Sequence, residues 1–278
     1  MTNSKIYDII TNKIIAELES GNVPWKKGWK NAELPMNLVS GKTYRGINVI
    51  ILSMLPFSSP YFLTFNQVKK LGGKVKKGSK GFPIVFWNFV EKTVKNRAGE
   101  ETVKTIPFLK YFTVFNLEQI DGIEAPETST DTPFNTIERA EEIVNNYKTC
   151  PEISHGGNRA YYSMNSDKIQ LPTQEQFNSE EEYYSTTFHE LIHSTGHESR
   201  LNRKEVTGVN SFGSVDYSKE ELTAELGAAF LSAEAKLDTD IQNSASYISG
   251  WLKALKNDRT LIVSAAAKAQ KASDYILQ

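Results

Sequence analysis

The pentapeptide His189-Glu190-Leu191-Ile192-His193 constrains this chain more tightly than any other stretch. Four residues advance an α-helix by about 400°, so the two imidazoles lie about 40° apart and one turn along, and both can reach one metal ion. Glu190, beside the first of them, projects toward the ion's open position. There it can take a proton from a bound water whose pKa zinc lowers to about 7. Chance would place the pentapeptide in roughly 0.5% of chains with this length and composition. Its surroundings are those of a helix. Ser179 with Glu182 three residues on forms a capping-box pattern, Phe188, Leu191 and Ile192 offer an apolar face, and Gly196 offers a stop after Thr195. The reading is a zinc-dependent hydrolase site with ligands His189 and His193 and general base Glu190; Mn or another divalent ion would suit the same donors.

Two histidines leave such a site short of a third protein ligand. His197 follows His189 at the right helical phase, but it lies past Gly196 and about 12 Å along the axis. A longer pattern with a third His at the tenth position fails, because Ser199 stands there. The run Glu220-Glu221-Leu222-Thr223-Ala224-Glu225 puts Glu221 and Glu225 on one helical face. Such a pair suits one ligand and one carboxylate that orients a histidine through its other ring nitrogen. Glu221 is the preferred ligand. It could instead complete a capping box with Ser218, in which case Glu225 binds the metal. His197, Tyr217 and Arg200 are polar groups near these helices and candidates for stabilising an oxyanion.

The single Cys150 excludes an intramolecular disulfide and a thiolate-rich metal site. The longest apolar run, Ile47–Phe57, is broken by polar residues and is far short of the roughly 20 needed to span a membrane. The start lacks the features of a secretory signal, so the cytoplasm is the expected location. The net charge of −1 conceals a division: Met1–Ile120 holds 18 Lys and Arg against 8 Asp and Glu, which leaves 14 against 25 for the rest. A fold does not require that split, and a polyanion-binding half joined to a differently employed half would produce it.

The sign changes at Asp121–Thr136, an acidic stretch rich in Thr and Pro without periodicity, which reads as a linker. We therefore expect an α+β protein of two domains, 1–121 and 136–278, joined by 122–135. The first is mixed helix and strand, with a helix over Ile6–Glu19 ended at Gly21 and strands over Phe82–Val90 and Val103–Phe115. The second is mainly helical with a small sheet: a helix over Ile137–Tyr147, strands over Arg159–Ser163 and Lys168–Leu171, then helices from Ser179, Ser218, Ser244 and Arg259.

In the basic half, Lys26, Lys27, Lys30, Arg45, Lys74, Lys76 and Lys77 are interleaved with Trp25, Trp29, Tyr44, Tyr61, Phe62 and Phe65. Aromatic faces that stack unpaired bases, with ammonium groups on phosphates, bind single-stranded nucleic acid with little sequence preference. Residues 1–121 alone are expected to do so, less tightly as salt rises.

Taken together, these residues resemble a known family. Ala160-Tyr161-Tyr162, Asp167, Ile169, Leu171-Pro172, Tyr184-Ser185-Thr186, the pentapeptide, Thr195-Gly196-His197-Glu198-Ser199-Arg200-Leu201, Glu220–Ala228 and Tyr247-Ile248 with Trp251-Leu252 resemble the zincin-like metallopeptidase domain of ArdC-type antirestriction proteins. Pro24-Trp25, Trp29, Tyr44-Arg45-Gly46-Ile47-Asn48, Leu71-Gly72-Gly73 and Val114-Phe115-Asn116 resemble that family's single-strand DNA-binding domain. The resemblance implies a protein of mobile elements that binds single-stranded DNA and helps incoming DNA survive restriction. It also favours Glu221, since Glu221-Leu222-Thr223-Ala224 is similar to the segment that supplies the third ligand in related metallopeptidases. Two functions follow: a peptidase delivered to protein substrates on DNA, or a non-catalytic DNA-binding shield or transfer factor whose metal is structural. A nuclease is disfavoured, because phosphodiester-cutting sites favour carboxylate-rich ligand sets.

Overall fold

The computed structural model describes residues 3–25, 34–95, 101–126, 135–207, 215–238 and 245–278. Helix α1 (Asn3–Glu19) carries Ile6, Ile10, Ile14 and Leu18 on one buried stripe, the spacing that made it legible. Gly21 ends it in the left-handed region at φ 82°. Next come β1 (Met36–Asn37) and α2 (Ile47–Ser53). No helix was expected over α2. It buries Ile47, Val49, Ile50, Ile51 and Leu52 on nearly all sides, so no polar face marks its period. Strand β2 (Tyr61–Thr64), α3 (Phe65–Lys70) and β3 (Lys74–Val75) lead to the long antiparallel pair β4 (Phe82–Lys95) and β5 (Glu101–Asn116). The main sheet has the order β1-β2-β5-β4, while β3 pairs with β6 (Ile120–Asp121). Of the expected linker, 127–134 lie outside the described residues.

The chain continues with α4 (Thr136–Asn146), β7 (Glu152–His155), β8 (Tyr161–Ser163) and β9 (Lys168–Leu171). These strands form a sheet of order β7-β9-β8, with β7 parallel and β8 antiparallel to the central β9. Strand β7, with Ile153 as its single large apolar residue, gave no sequence signal. Helices α5 (Glu180–Ser194), α6 (Lys204–Thr207), α7 (Val215–Glu234), α8 (Ala245–Asn257) and α9 (Leu261–Ile276) complete the chain. No helix among the described residues is long and apolar enough to cross a membrane.

Two further features differ from expectation. Helix α7 begins at Val215, so Ser218 sits inside its first turn and is not its cap. Gly196 follows α5, yet it is absent from the positive-φ glycines; its role is space, because a Cβ there would come 2.4 Å from Val206 Cγ2 and 3.0 Å from Arg203 Nη2. The cluster containing the α1 stripe, Trp25, α2 and Val85 also contains Leu222, Leu226 and Phe230 of α7, Trp251 and Leu255 of α8, and Leu261, Ile262 and Ala266 of α9. Apolar side chains from both halves of the sequence are thus buried against one another.

Candidate metal centre

Helix α5 is capped at its N-terminus by Ser179, whose hydroxyl accepts from the Glu182 N–H at 3.2 Å. The carboxylate of Glu182 reaches back one residue further than a capping box requires, to Asn178 N at 2.9 Å. Phe188, Leu191 and Ile192 are fully buried, which fixes the helix's rotation and turns His189 and His193 toward α7. On α7, Gly227 permits a close crossing, because a Cβ there would lie 2.7 Å from Ile192 Cδ1.

The crossing brings three donors together. His189 Nε2 and His193 Nε2 are 3.1 Å apart, and each is 3.5 Å from a different oxygen of Glu221. With Ser218 inside the helix, Glu221 has no capping role, and His189, His193 and Glu221 form the potential metal-holding group among the described residues. The histidines' remaining nitrogens face carboxylates. His193 Nδ1 lies 3.2 Å from Glu220 Oε1, whereas His189 Nδ1 lies 3.9 Å from Glu225 Oε1, beyond hydrogen-bond distance. Both Nε2 atoms face Glu221, where an ion could sit between the three groups, and the Glu220 contact at His193 Nδ1 is the outer support that a metal-binding histidine commonly has. Glu190, on the turn carrying His189, is 7% exposed. Tyr217, one turn before Glu221, hydrogen-bonds to its carboxylate.

Glu220 and Arg203 are the residues that sequence reasoning missed. Arg203, just before α6, holds Glu220 through Nε at 3.0 Å and Nη2 at 2.5 Å, and also donates to Thr195 Oγ1 at 2.6 Å and Ile192 O at 2.7 Å. It therefore ties the end of α5 to the acidic turn of α7. No local pattern announces this, since Arg203 reaches Glu220 only once the helices have crossed. Arg200, expected as an oxyanion candidate, is committed elsewhere: its guanidinium pairs with Asp167 and donates to Ser194 O, Thr149 O and Tyr162 Oη. His197 Nδ1 accepts from Ser199 N at 3.2 Å, and His197 is not part of the His-His-Glu group.

Burial opposes a charged His189, but the hydrogen bond with Glu221 and the charges of Glu190 and Glu225 outweigh it and raise its pKa to about 9. Burial likewise opposes a charged Glu221, yet His189, His193 and Tyr217 bring it down to about 2. His193 is also raised: burial works against its charge, and Glu220 and Glu221 overcome it. Metal ligation requires neutral imidazoles. A proton must therefore leave His189 below pH 9, while Glu221 is already ionised, and apparent metal affinity should rise with pH, by close to tenfold per unit near pH 7, and level off as pH approaches about 9. Metal titrations at fixed ionic strength check this; a flat profile would contradict the protonated pair.

The basic-half candidates are dispersed. Trp25 is a correction: its ring is 3% exposed and edge-on to Trp251, 5.3 Å between centroids, so it fills the core and offers no stacking face. Tyr44 is half-buried, edge-on to Phe62, with its hydroxyl accepting from Asn37 Nδ2 at 3.4 Å. Tyr61 and Phe62 are buried, and Phe65 is exposed. Arg45 is exposed and paired with Asp274 of α9. Lys74 and Lys77 are exposed, and Lys76, also exposed, donates to Glu118 O at 2.8 Å. Lys26, Lys27, Trp29 and Lys30 lie outside the described residues.

A paired-histidine helix crossed by a glutamate-bearing helix, beside a three-stranded sheet, defines the class as zincin-like, and the family described as zincin-like metallopeptidase matches residues 138–268. The N-terminal domain of anti-restriction factor ArdC matches residues 4–115. Among solved structures, the metal-free antirestriction ArdC protein of plasmid R388 superposes with a TM-score of 0.77 at 36% identity, covering 98% of this chain and 96% of that one. Its Mn(II)-bound form gives 0.76. An uncharacterised protein, y4eC, of Sinorhizobium fredii is 33% identical over 99% of this chain and 92% of its own length. Two DNA primases TraC of Escherichia coli are 37% and 36% identical, and the chain spans only 20% and 27% of their lengths. The chain belongs to the ArdC antirestriction family.

Proposed function

We propose that this protein is a single-strand DNA-binding antirestriction factor of a mobile element, carrying a zinc peptidase site in its C-terminal half. The observation that carries the reading is the convergence of His189, His193 and Glu221 with a buried carboxylate, Glu190, beside them. A purely structural metal site has no use for such a base. His189, His193 and Glu221 would hold the ion. When bound, it supplies Lewis acidity that acidifies a water and polarises a carbonyl. Glu190 accepts a proton as the water oxygen bonds to the peptide carbon, then returns it to the amine as the C–N bond breaks. Glu220 keeps His193 in one tautomer and orientation through Nδ1. The outer strand β8 offers main-chain groups to an extended substrate, so flexible protein segments of varied sequence are the fitting substrates. Binding of single-stranded DNA is supported by the family and by the positive excess of the first 120 residues.

The test incubates metal-loaded protein with a disordered protein, with and without single-stranded DNA, beside Glu190→Gln and Glu221→Gln. Cleavage by the native chain is expected to fall about 10²–10⁴-fold in Glu190→Gln, with metal retained. Glu221→Gln is expected to lose much of its metal. No cleavage in either condition, together with undiminished protection of DNA from restriction by Glu190→Gln, would overturn the peptidase reading in favour of a DNA shield with a structural metal.

A further inference from the structure

A groove of about 570 Å³ opens where the β4–β5 pair meets α9 and the segment that carries Tyr44 and Arg45. Its volume is that of a small-ligand site, with room for individual nucleotides and not for a duplex. The strand register explains its chemistry. Ile84 is opposite Phe112 and Phe86 is opposite Lys110, so all four side chains lie on one face. Toward the start of β4 that face is buried, with Phe82 and Ile84 packed against Leu52, Phe62 and Val114. Further out it is uncovered: Phe86 is 56% and Phe112 is 41% exposed, high values for rings within a sheet. Lys110 Nζ sits 5.2 Å from the centre of the Phe112 ring, and Arg45 opens the other wall, engaged in an exposed pair with Asp274 that a phosphate can displace.

We infer that this groove is the base-binding seat of the protein, where unpaired nucleobases stack on Phe86 and Phe112 while Lys110 and Arg45 meet the flanking phosphates. The inference rests on the single-strand DNA reading and gives it an address. Two exposed rings, with the mobile Lys110 ammonium over one and Arg45 on the opposite wall, match a strand whose bases can take the ring faces while its anionic backbone takes the cations. The site is composite, because Ala267 and Gln270 of α9 line it together with the hairpin. DNA would therefore bind across both halves of the sequence, on the helix that packs against α7 of the metal centre.

The experiment uses the full chain and a fluorescein-labelled 15-residue oligothymidylate, followed by anisotropy at fixed salt. Phe86→Ala and Phe112→Ala are each expected to weaken binding about tenfold, and the double variant about a hundredfold. Thermal midpoints should stay unchanged, since both rings are exposed. An abasic oligonucleotide of equal length should bind the native chain and the double variant alike. Unchanged affinity of the double variant for oligothymidylate would overturn the inference and leave the groove to another occupant, such as an apolar peptide. An equal loss for the abasic strand would overturn it too, since stacking would not be the cause. Failure of the native chain to bind oligothymidylate at all would instead remove the single-strand DNA reading on which the inference rests.

Discussion

Residues 1–121 expressed alone are expected to remain unfolded or to aggregate, and so to bind single-stranded DNA poorly. Sequence reasoning leads to the opposite expectation, because a basic half, an acidic half and an unpatterned stretch between them look like two separable modules. The packing argues otherwise. Ile6, Ile10, Ile14, Leu18 and Trp25 are each at most 3% exposed, in a cluster whose other members include Trp251, Leu255, Leu261 and Ile262. Burying such side chains contributes about 1.5–3 kcal/mol apiece, so exposing even half of this set costs an amount comparable to the roughly 5–15 kcal/mol that stabilises a typical domain. Far-UV circular dichroism and amide dispersion on the isolated fragment, with the full chain beside it, check this. A fragment that melts cooperatively near the temperature of the full chain would show that the shared core is dispensable.

What the sequence made legible was local. The α1 stripe, the cap at Ser179, the pentapeptide and the strands at Phe82 and Lys168 each announce themselves within one window of periodicity, and the structure has them there. Helix α2 was missed because a segment buried nearly all round shows no polar face, and β7 because four residues with one large apolar side chain show no alternation. The candidate third donor was legible only as a choice, since Glu221 and Glu225 share a face; the crossing of α5 and α7 groups Glu221 with the two histidines as a set that could hold a metal. Trp25 was misassigned for a related reason. An aromatic ring next to lysines reads as a stacking platform until a partner from the far end of the chain, Trp251, is found against it. Surface and core aromatics have the same local sequence, and long-range packing decides between them.

Packing also buries an ion pair among the described residues, and substitution there should have a large effect. Arg203 and Glu220 are 6% and 7% exposed, and their ion pair joins the end of α5 to α7 immediately behind His193. Arg203→Met should destabilise the protein by about 3–5 kcal/mol, because it strands the Glu220 carboxylate in the interior and removes the donors to Thr195 and Ile192. In a thermal scan that is a loss of about 6–20 °C. The sign of the pH dependence follows from Glu220. Burial works against its charge, but Arg203 and His193 prevail and hold its pKa below the ordinary 4.5, so the pair's contribution is whole above that pH and fades as acid is added. Arg203→Met should therefore lose less relative to the native chain at pH 4 than at pH 7. Glu220→Gln bears on the site and the fold together, since it also leaves the Arg203 guanidinium buried without its counter-charge and so lowers stability. It keeps a hydrogen-bonding group of the same size but weakens the hold on His193 Nδ1, and metal affinity should drop 10–100-fold, as loss of such outer partners commonly causes. The double substitution Arg203→Met with Glu220→Leu replaces the buried pair by apolar groups and should recover most of the thermal stability. It should not recover metal affinity, since no acceptor then faces His193. If the double variant bound metal as tightly as the native chain, Glu220 would have no part in orienting the ligand, and the pair would serve only to join the two helices.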